Sequence, residues 1–147
     1  MAASSAAILI ALVLLLALAM LVALVRWLGS KRRRTADRVA RATTGVDVVR
    51  SAPANCLGIR SKGKWQNRGN GTLVLTTTTL LFEPFVGSNR VHQPLDTIVA
   101  VDTVRSFLGK SVFRDLLWVE WMATDGTTDS AAWLVGDLAE WQQALRR

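Results

Sequence analysis

Hydrophobic and polar positions divide this chain into three stretches with different periods. From Ala6 to Val25 there is no period at all: twenty consecutive apolar residues, without a charge, a proline or a glycine. At ~1.5 Å rise per residue, a helix of that length covers about 30 Å, the hydrocarbon thickness of a bilayer. Its backbone groups bond within the segment, as lipid requires. From Arg26 to Ala54 the pattern is polar and strongly basic. From Asn55 onward it alternates with period two, and turn residues recur every 8 to 12 positions. That spacing predicts short antiparallel strands. The last eleven residues, Asp137 to Arg147, change period again, with Leu138, Trp141, Ala144 and Leu145 on one helical face.

The first stretch reads as an uncleaved anchor rather than a secretory signal. Its start, MAASSAA, carries no Lys or Arg. Its apolar core exceeds the roughly 7–15 residues of a signal peptide and meets Arg26, Trp27 and the cluster Lys31, Arg32, Arg33 and Arg34 instead of a small-residue cleavage site. The cleaved alternative would release a soluble secreted domain. The basic flank lies C-terminal to the span, so the positive-inside bias predicts an outside N-terminus and a cytoplasmic C-terminal domain at the cell membrane. Arg26 and Trp27 suit the headgroup belt, and with residues 31–34 form the expected membrane interface.

Gly29-Ser30 is expected to break the apolar helix. Residues 35–44 then form either a short weak helix, with Arg34, Arg38 and Arg41 on one face, or a solvated basic linker. Pro53 is expected to close off any helix before it. The expected organisation is a tail and transmembrane helix over 1–25, a basic juxtamembrane linker over 26–54, and one folded domain over 55–147.

Within that domain seven strands are predicted: 56–61, 72–77, 80–85, 90–93, 97–107, 116–123 and 129–135. Asp125-Gly126 is the firmest hairpin signal, and Pro84 suggests an edge or a bulge. On strand 116–123, Leu117, Val119, Trp121 and Ala123 share the core face, with Leu116, Trp118, Glu120 and Met122 outward. Asp137 and Glu140 have the spacing of a capping box. The run Gly71-Thr72-Leu73-Val74-Leu75-Thr76, then Leu80-Leu81-Phe82, then Pro94-Leu95 with Ile98 and Val101, resembles the G-x-L-x-L-T … L-x-F … P-L-x-x-I-x-x-V pattern of the pleckstrin-homology superfold, closest to its GRAM-like and bacterial members. The resemblance implies an α+β domain, a seven-stranded bent antiparallel sheet or barrel with a C-terminal helix at one end. It also implies binding or adaptor work without catalysis.

Charge sharpens this division. The chain is +7 overall, but residues 26–68 carry +10 and residues 69–147 carry −3. A mildly acidic domain is thus joined to a basic segment beside the anchor, which points to anionic lipid headgroups. Nucleic acid is not indicated, because no reader motif accompanies the basic residues. No cofactor motif is present: Gly69-Asn70-Gly71-Thr72 lacks the Lys of a phosphate loop, and G-x-S-x-G and H-E-x-x-H do not occur. The acidic residues have no metal-ligand spacing with the single histidine, His92. Cys56 is the lone cysteine, so no internal disulfide forms; it reads as a small buried strand residue.

Two candidate sites remain. Arg60, Lys62, Lys64 and Arg68 surround Trp65 between the first two strands, a loop suited either to phosphorylated headgroups or simply to solvent. In the resemblance it is the first hairpin, where lipid-binding members receive headgroups; the closing basic pair of their motif is missing here. Trp118 with Met122 forms a candidate partner patch, unless the segment 106–114 covers it. The whole is expected to be a single-pass, non-catalytic binding or adaptor protein. The alternative is an accessory subunit whose anchor packs on another membrane protein.

Overall fold

A computed structural model describes residues 2–146; the side chains of residues 2–6 and of Arg32 lie outside that description, and the interface expectation at Arg32 lies there with them. The chain divides into two units, Met1–Arg34 and Thr35–Arg147.

In the first unit lies the apolar part of helix α1 (Ala2–Ala42). Its most apolar 18-residue window has a mean hydropathy of 3.4 and no protein cover. By length and composition it is able to cross a membrane. Gly29-Ser30 does not break it. One glycine costs a helix only about 1 kcal/mol, and Ser30 Oγ donates to the Trp27 carbonyl at 2.8 Å instead of competing for the backbone ahead. Lys31 lies over the Trp27 ring, 5.4 Å from its centroid, one turn on.

The second unit opens with the last turns of α1. Residues 35–42 are helical, and Thr43 closes the helix by donating from its backbone N–H to Val39 at 2.9 Å, ahead of Gly45 at φ 76°. This segment is not a solvated linker. Thr35 is buried and its hydroxyl reaches the Pro84 carbonyl, and Arg38 pairs with Glu83.

Strand β1 (Val48–Ile59) begins well before Cys56, so the second half of the expected linker belongs to the sheet. Pro53 lies inside it. There β2 is already paired, at Pro53↔Thr72, while β7 pairing starts only at Ala54. One side of the strand is open at that point, and a missing N–H leaves no gap in a ladder. A 3₁₀ turn (Arg60–Lys62) leads to β2 (Gly69–Thr76), β3 (Thr79–Pro84), β4 (Val91–Pro94), β5 (Ile98–Phe107), β6 (Lys110–Met122) and β7 (Thr128–Val135). Seven antiparallel strands form one sheet, the number that the alternation predicts, in the order β4-β3-β2-β1-β7-β6-β5 with β4 and β5 at the edges. Pro84 is not on an edge strand. It ends β3 where β4, paired only to residues 79–82, no longer lies alongside.

The core sits on one face, built from Cys56, Leu73, Leu75, Leu80, Phe82, Leu117, Val119, Trp121 and Trp133. Phe82 and Trp133 meet with ring centroids 6.1 Å apart. Helix α2 (Leu138–Leu145) closes this face by inserting Trp141, which is fully buried. The expected capping box is absent: Asp137 stands at the N-cap with φ 45°, and its side chain makes no capping bond. Its carboxylate and that of Glu140 turn to Arg50, at 3.4 and 2.6 Å, and Arg50 also lies over the Trp141 ring. A partner on β1, far away in sequence, outcompetes the local cap.

The opposite face is buried too. Leu57, Leu116 and Ala132 lie there, one step out of phase with the core residues, under Phe107. The β5–β6 hairpin supplies the cover: β6 starts at Lys110, earlier than predicted, and Val104, Leu108 and Val112 pack on this second cluster.

Candidate functional site

The loop between β1 and β2 is held from its base upward. Gln66 is the pin. Its side chain accepts from the Ile59 N–H at 2.8 Å and donates to the Ile59 carbonyl at 2.6 Å, as a third strand residue would. Gly63, at φ 75°, turns the chain beyond the 3₁₀ turn. Ser61 is tied to Asp129 by both its N–H and its hydroxyl, at 2.9 and 2.6 Å. The tip that remains contains Lys64 and Trp65, and Trp65 is 98% exposed. A tryptophan so placed keeps its whole apolar surface in water, which is uncommon for the largest apolar side chain.

The four cations do not converge on one point. Arg60 faces Glu120 at 3.7 Å, Lys62 donates to the Ser88 carbonyl at 2.5 Å, and Arg68 donates to the Ser111 carbonyl at 2.9 Å. Lys62 therefore leans to the β3–β4 loop and Arg68 to the β5–β6 hairpin, while Lys64 stays at the tip with Trp65. Asn89 adds a bond to the Asn67 carbonyl at 3.1 Å, and Lys110 Nζ links the Leu57 and Gln66 carbonyls at 3.1 and 2.5 Å. Three loops are thereby gathered at one end of the domain, with a spread of exposed cations around an aromatic tip. The bonds that Arg60, Lys62 and Arg68 make are solvent-exposed and each worth about 1 kcal/mol or less. An anion at this surface can exchange for them.

Trp118 and Met122 differ in exposure. Trp118 is half-buried in the second cluster, under the β5–β6 hairpin, and Met122 is 43% exposed. Phe107, Leu108 and Val112, from segment 106–114, belong to the same cluster. At the other end of the basic region, Trp27 is half-exposed with Lys31 over it, and Arg26, Arg33 and Arg34 are exposed.

Two features escaped sequence reasoning. The first is an ion triad. The Glu83 carboxylate accepts from Arg38 at 2.9 Å and from Arg90 at 2.6 and 2.7 Å. Burial alone would raise the Glu83 carboxyl, but the hydrogen bonds and charges of Arg90 and Arg38 outweigh it and hold it below the ordinary glutamate range. The triad borders a cleft of about 460 Å³ between the last turns of α1 and β3–β4, where Arg41 and His92 also face it. The i, i+3 spacing of Arg38 and Arg41 was visible in the sequence; their partner was not. The second is Phe113, 99% exposed at φ 55°. Cys56, by contrast, is fully buried, and burial pushes its thiol up to about 11. Among the described residues no three His, Cys, Asp or Glu side chains gather as metal ligands.

No family model matches this chain, and no curated protein does. Solved structures do. The C-terminal domain of an unknown protein from Leishmania infantum aligns at a TM-score of 0.51 and 16% identity, over 74% of this chain and 88% of that one. A chain of the 8S snRNP assembly intermediate aligns at 0.51 and 12% identity, over 67% of this chain and 79% of that one. At such identities the likeness is one of fold: a seven-stranded antiparallel sheet domain.

Proposed function

We propose that this chain is a single-pass membrane protein whose C-terminal domain, of pleckstrin-homology type with a GRAM-like bacterial pattern, acts as a non-catalytic binding or adaptor module on anionic lipid headgroups. The apolar part of α1 is the anchor, with its N-terminus outside and the domain in the cytoplasm. The observation that carries this reading is Trp65, 98% exposed beside Lys64 on a loop that is otherwise pinned at every base residue. An indole at such a tip belongs at headgroup depth, where its amphipathic ring is stabilised. Lys64, Arg60, Lys62 and Arg68 surround it with positive charge, each contributing about 1 kcal/mol near an anionic surface. The anchor raises the local concentration of the loop at the bilayer, so weak recognition suffices.

The test is sedimentation of a soluble chain starting at Thr35 with vesicles of phosphatidylcholine, with and without phosphatidylglycerol. Binding is expected only to the anionic vesicles, and to fall with added salt. Replacing Arg60, Lys62, Lys64 and Arg68 by Gln should abolish it. Equal pelleting of the two proteins would overturn the reading. Topology is tested separately, by a reporter fused after Arg147 that is active only outside the cytoplasm; a signal there would reverse the orientation.

A further inference from the structure

The β5–β6 hairpin carries an apolar side chain that the fold does not use. Phe107, Leu108 and Val112 pack inward on the second cluster, yet Phe113, next along the strand, is 99% exposed. Its backbone is held at φ 55°, a left-handed conformation that few side chains adopt and that suits a bulky one poorly. The local bonds keep it there. The Phe113 N–H donates to Ser111 Oγ at 3.1 Å, and that hydroxyl donates to the Arg105 carbonyl at 2.9 Å. The hairpin is also tied to the neighbouring loop, through Arg68 to the Ser111 carbonyl and through Lys110 to the Gln66 carbonyl. Arg114, the next residue, is exposed, and Arg105 on the other strand of the hairpin is 91% exposed and paired to Asp115 at 3.4 Å.

From this geometry we infer that the β5–β6 hairpin is a second bilayer contact, with Phe113 entering the interface of an anionic membrane and Arg105 and Arg114 on its phosphates. A lone ring flanked by cations matches a lipid surface, where the ring finds acyl chains and the guanidinium groups find phosphate oxygens. It does not offer the contiguous apolar area of a protein-docking face. Val112 packs on the second cluster, and the neighbouring Phe113 is left exposed. This inference rests on the reading that the same domain end faces lipid, but it assigns a different element and different residues.

The experiment uses the full native chain, reconstituted in phosphatidylcholine vesicles with or without phosphatidylglycerol and a phospholipid bearing a photoactivatable diazirine on its acyl chain. Adducts are mapped by tandem mass spectrometry, with the α1 span as the internal positive control. Adducts at Phe113 are expected in the anionic vesicles and not in the neutral ones. Phe113→Asp, a change at a fully exposed position, should remove the adducts at Val112 and Arg114 as well. Adducts at Trp65 without any at Phe113 would overturn the inference and leave the headgroup reading standing. Adducts at Phe113 without any at Trp65 would support the inference and count against the first loop. Labelling of the span alone would overturn both.

Discussion

Trp141 and Cys56 show how much depends on single buried side chains in a domain this small. Trp141 is the only buried residue of α2 and the reason a helix of eight residues holds its place. Trp141→Ala should destabilise the domain by about 3–5 kcal/mol, read as a lower urea midpoint for the chain starting at Thr35; an unchanged midpoint would refute the packing. Cys56 lies in the core with its thiol pushed up to about 11 by burial. Only the thiolate is a good nucleophile, so iodoacetamide should leave Cys56 unmodified in the native protein at neutral pH and modify it fully in denaturant, as mass spectrometry would report. The tryptophans of the core were readable from their strand and helix phase. Phe113 was not, because it lies in the first part of β6, which the sequence leaves outside the predicted strand.

At the scale of elements, Gly71 explains why one strand position tolerates no side chain. It opens the G-x-L-x-L-T run and lies opposite Pro84. A Cβ there would come within 2.4 Å of the Glu83 carbonyl oxygen and 2.7 Å of the Phe82 ring. Backbone cannot yield as a flexible side chain does, so Gly71→Ala should cost about 1–3 kcal/mol, measured as a fall in melting temperature; an unchanged value would mean that β3 moves freely. Strand number followed from alternation and turn residues, and the Asp125-Gly126 hairpin is where it was expected: Gly126 stands at φ 81° and Ala123 N–H bonds the Thr127 carbonyl at 2.8 Å. Element ends were less legible. Pro53 looked like a boundary and is an interior strand residue, because the ladder it would interrupt starts one residue later. Gly29-Ser30 looked like a break and is helical. Asp137 and Glu140 looked like a cap and are ligands of Arg50. Pro53, Asp137 and Glu140 were decided by partners remote in sequence, whereas Gly29-Ser30 is settled locally by the bond from Ser30 to Trp27.

At the scale of the whole molecule, the Glu83 triad joins three separate stretches: the end of α1, β3 and the loop that leads into β4. Its carboxyl is depressed when folded, so its stabilisation is complete above the ordinary glutamate value of 4.5 and is lost as pH falls through the lower folded value. Urea midpoints of the domain should therefore drop on acidification below that value, and drop less for Glu83→Gln; parallel pH profiles would remove the triad from the balance. The basic loop was found in the sequence as a set, but its dispersal over three partners was not, since Ser88, Ser111 and Glu120 lie on other hairpins. The open sheet has a consequence of its own. Its end strands, β4 and β5, have no strand partner on their outer sides. Strand-to-strand zippering between neighbours is the hazard. Here β4 has only four residues and ends in Pro94, while β5 is bulged twice and carries Asp102 and Arg105. Those irregularities keep neighbouring copies from being stitched into one sheet.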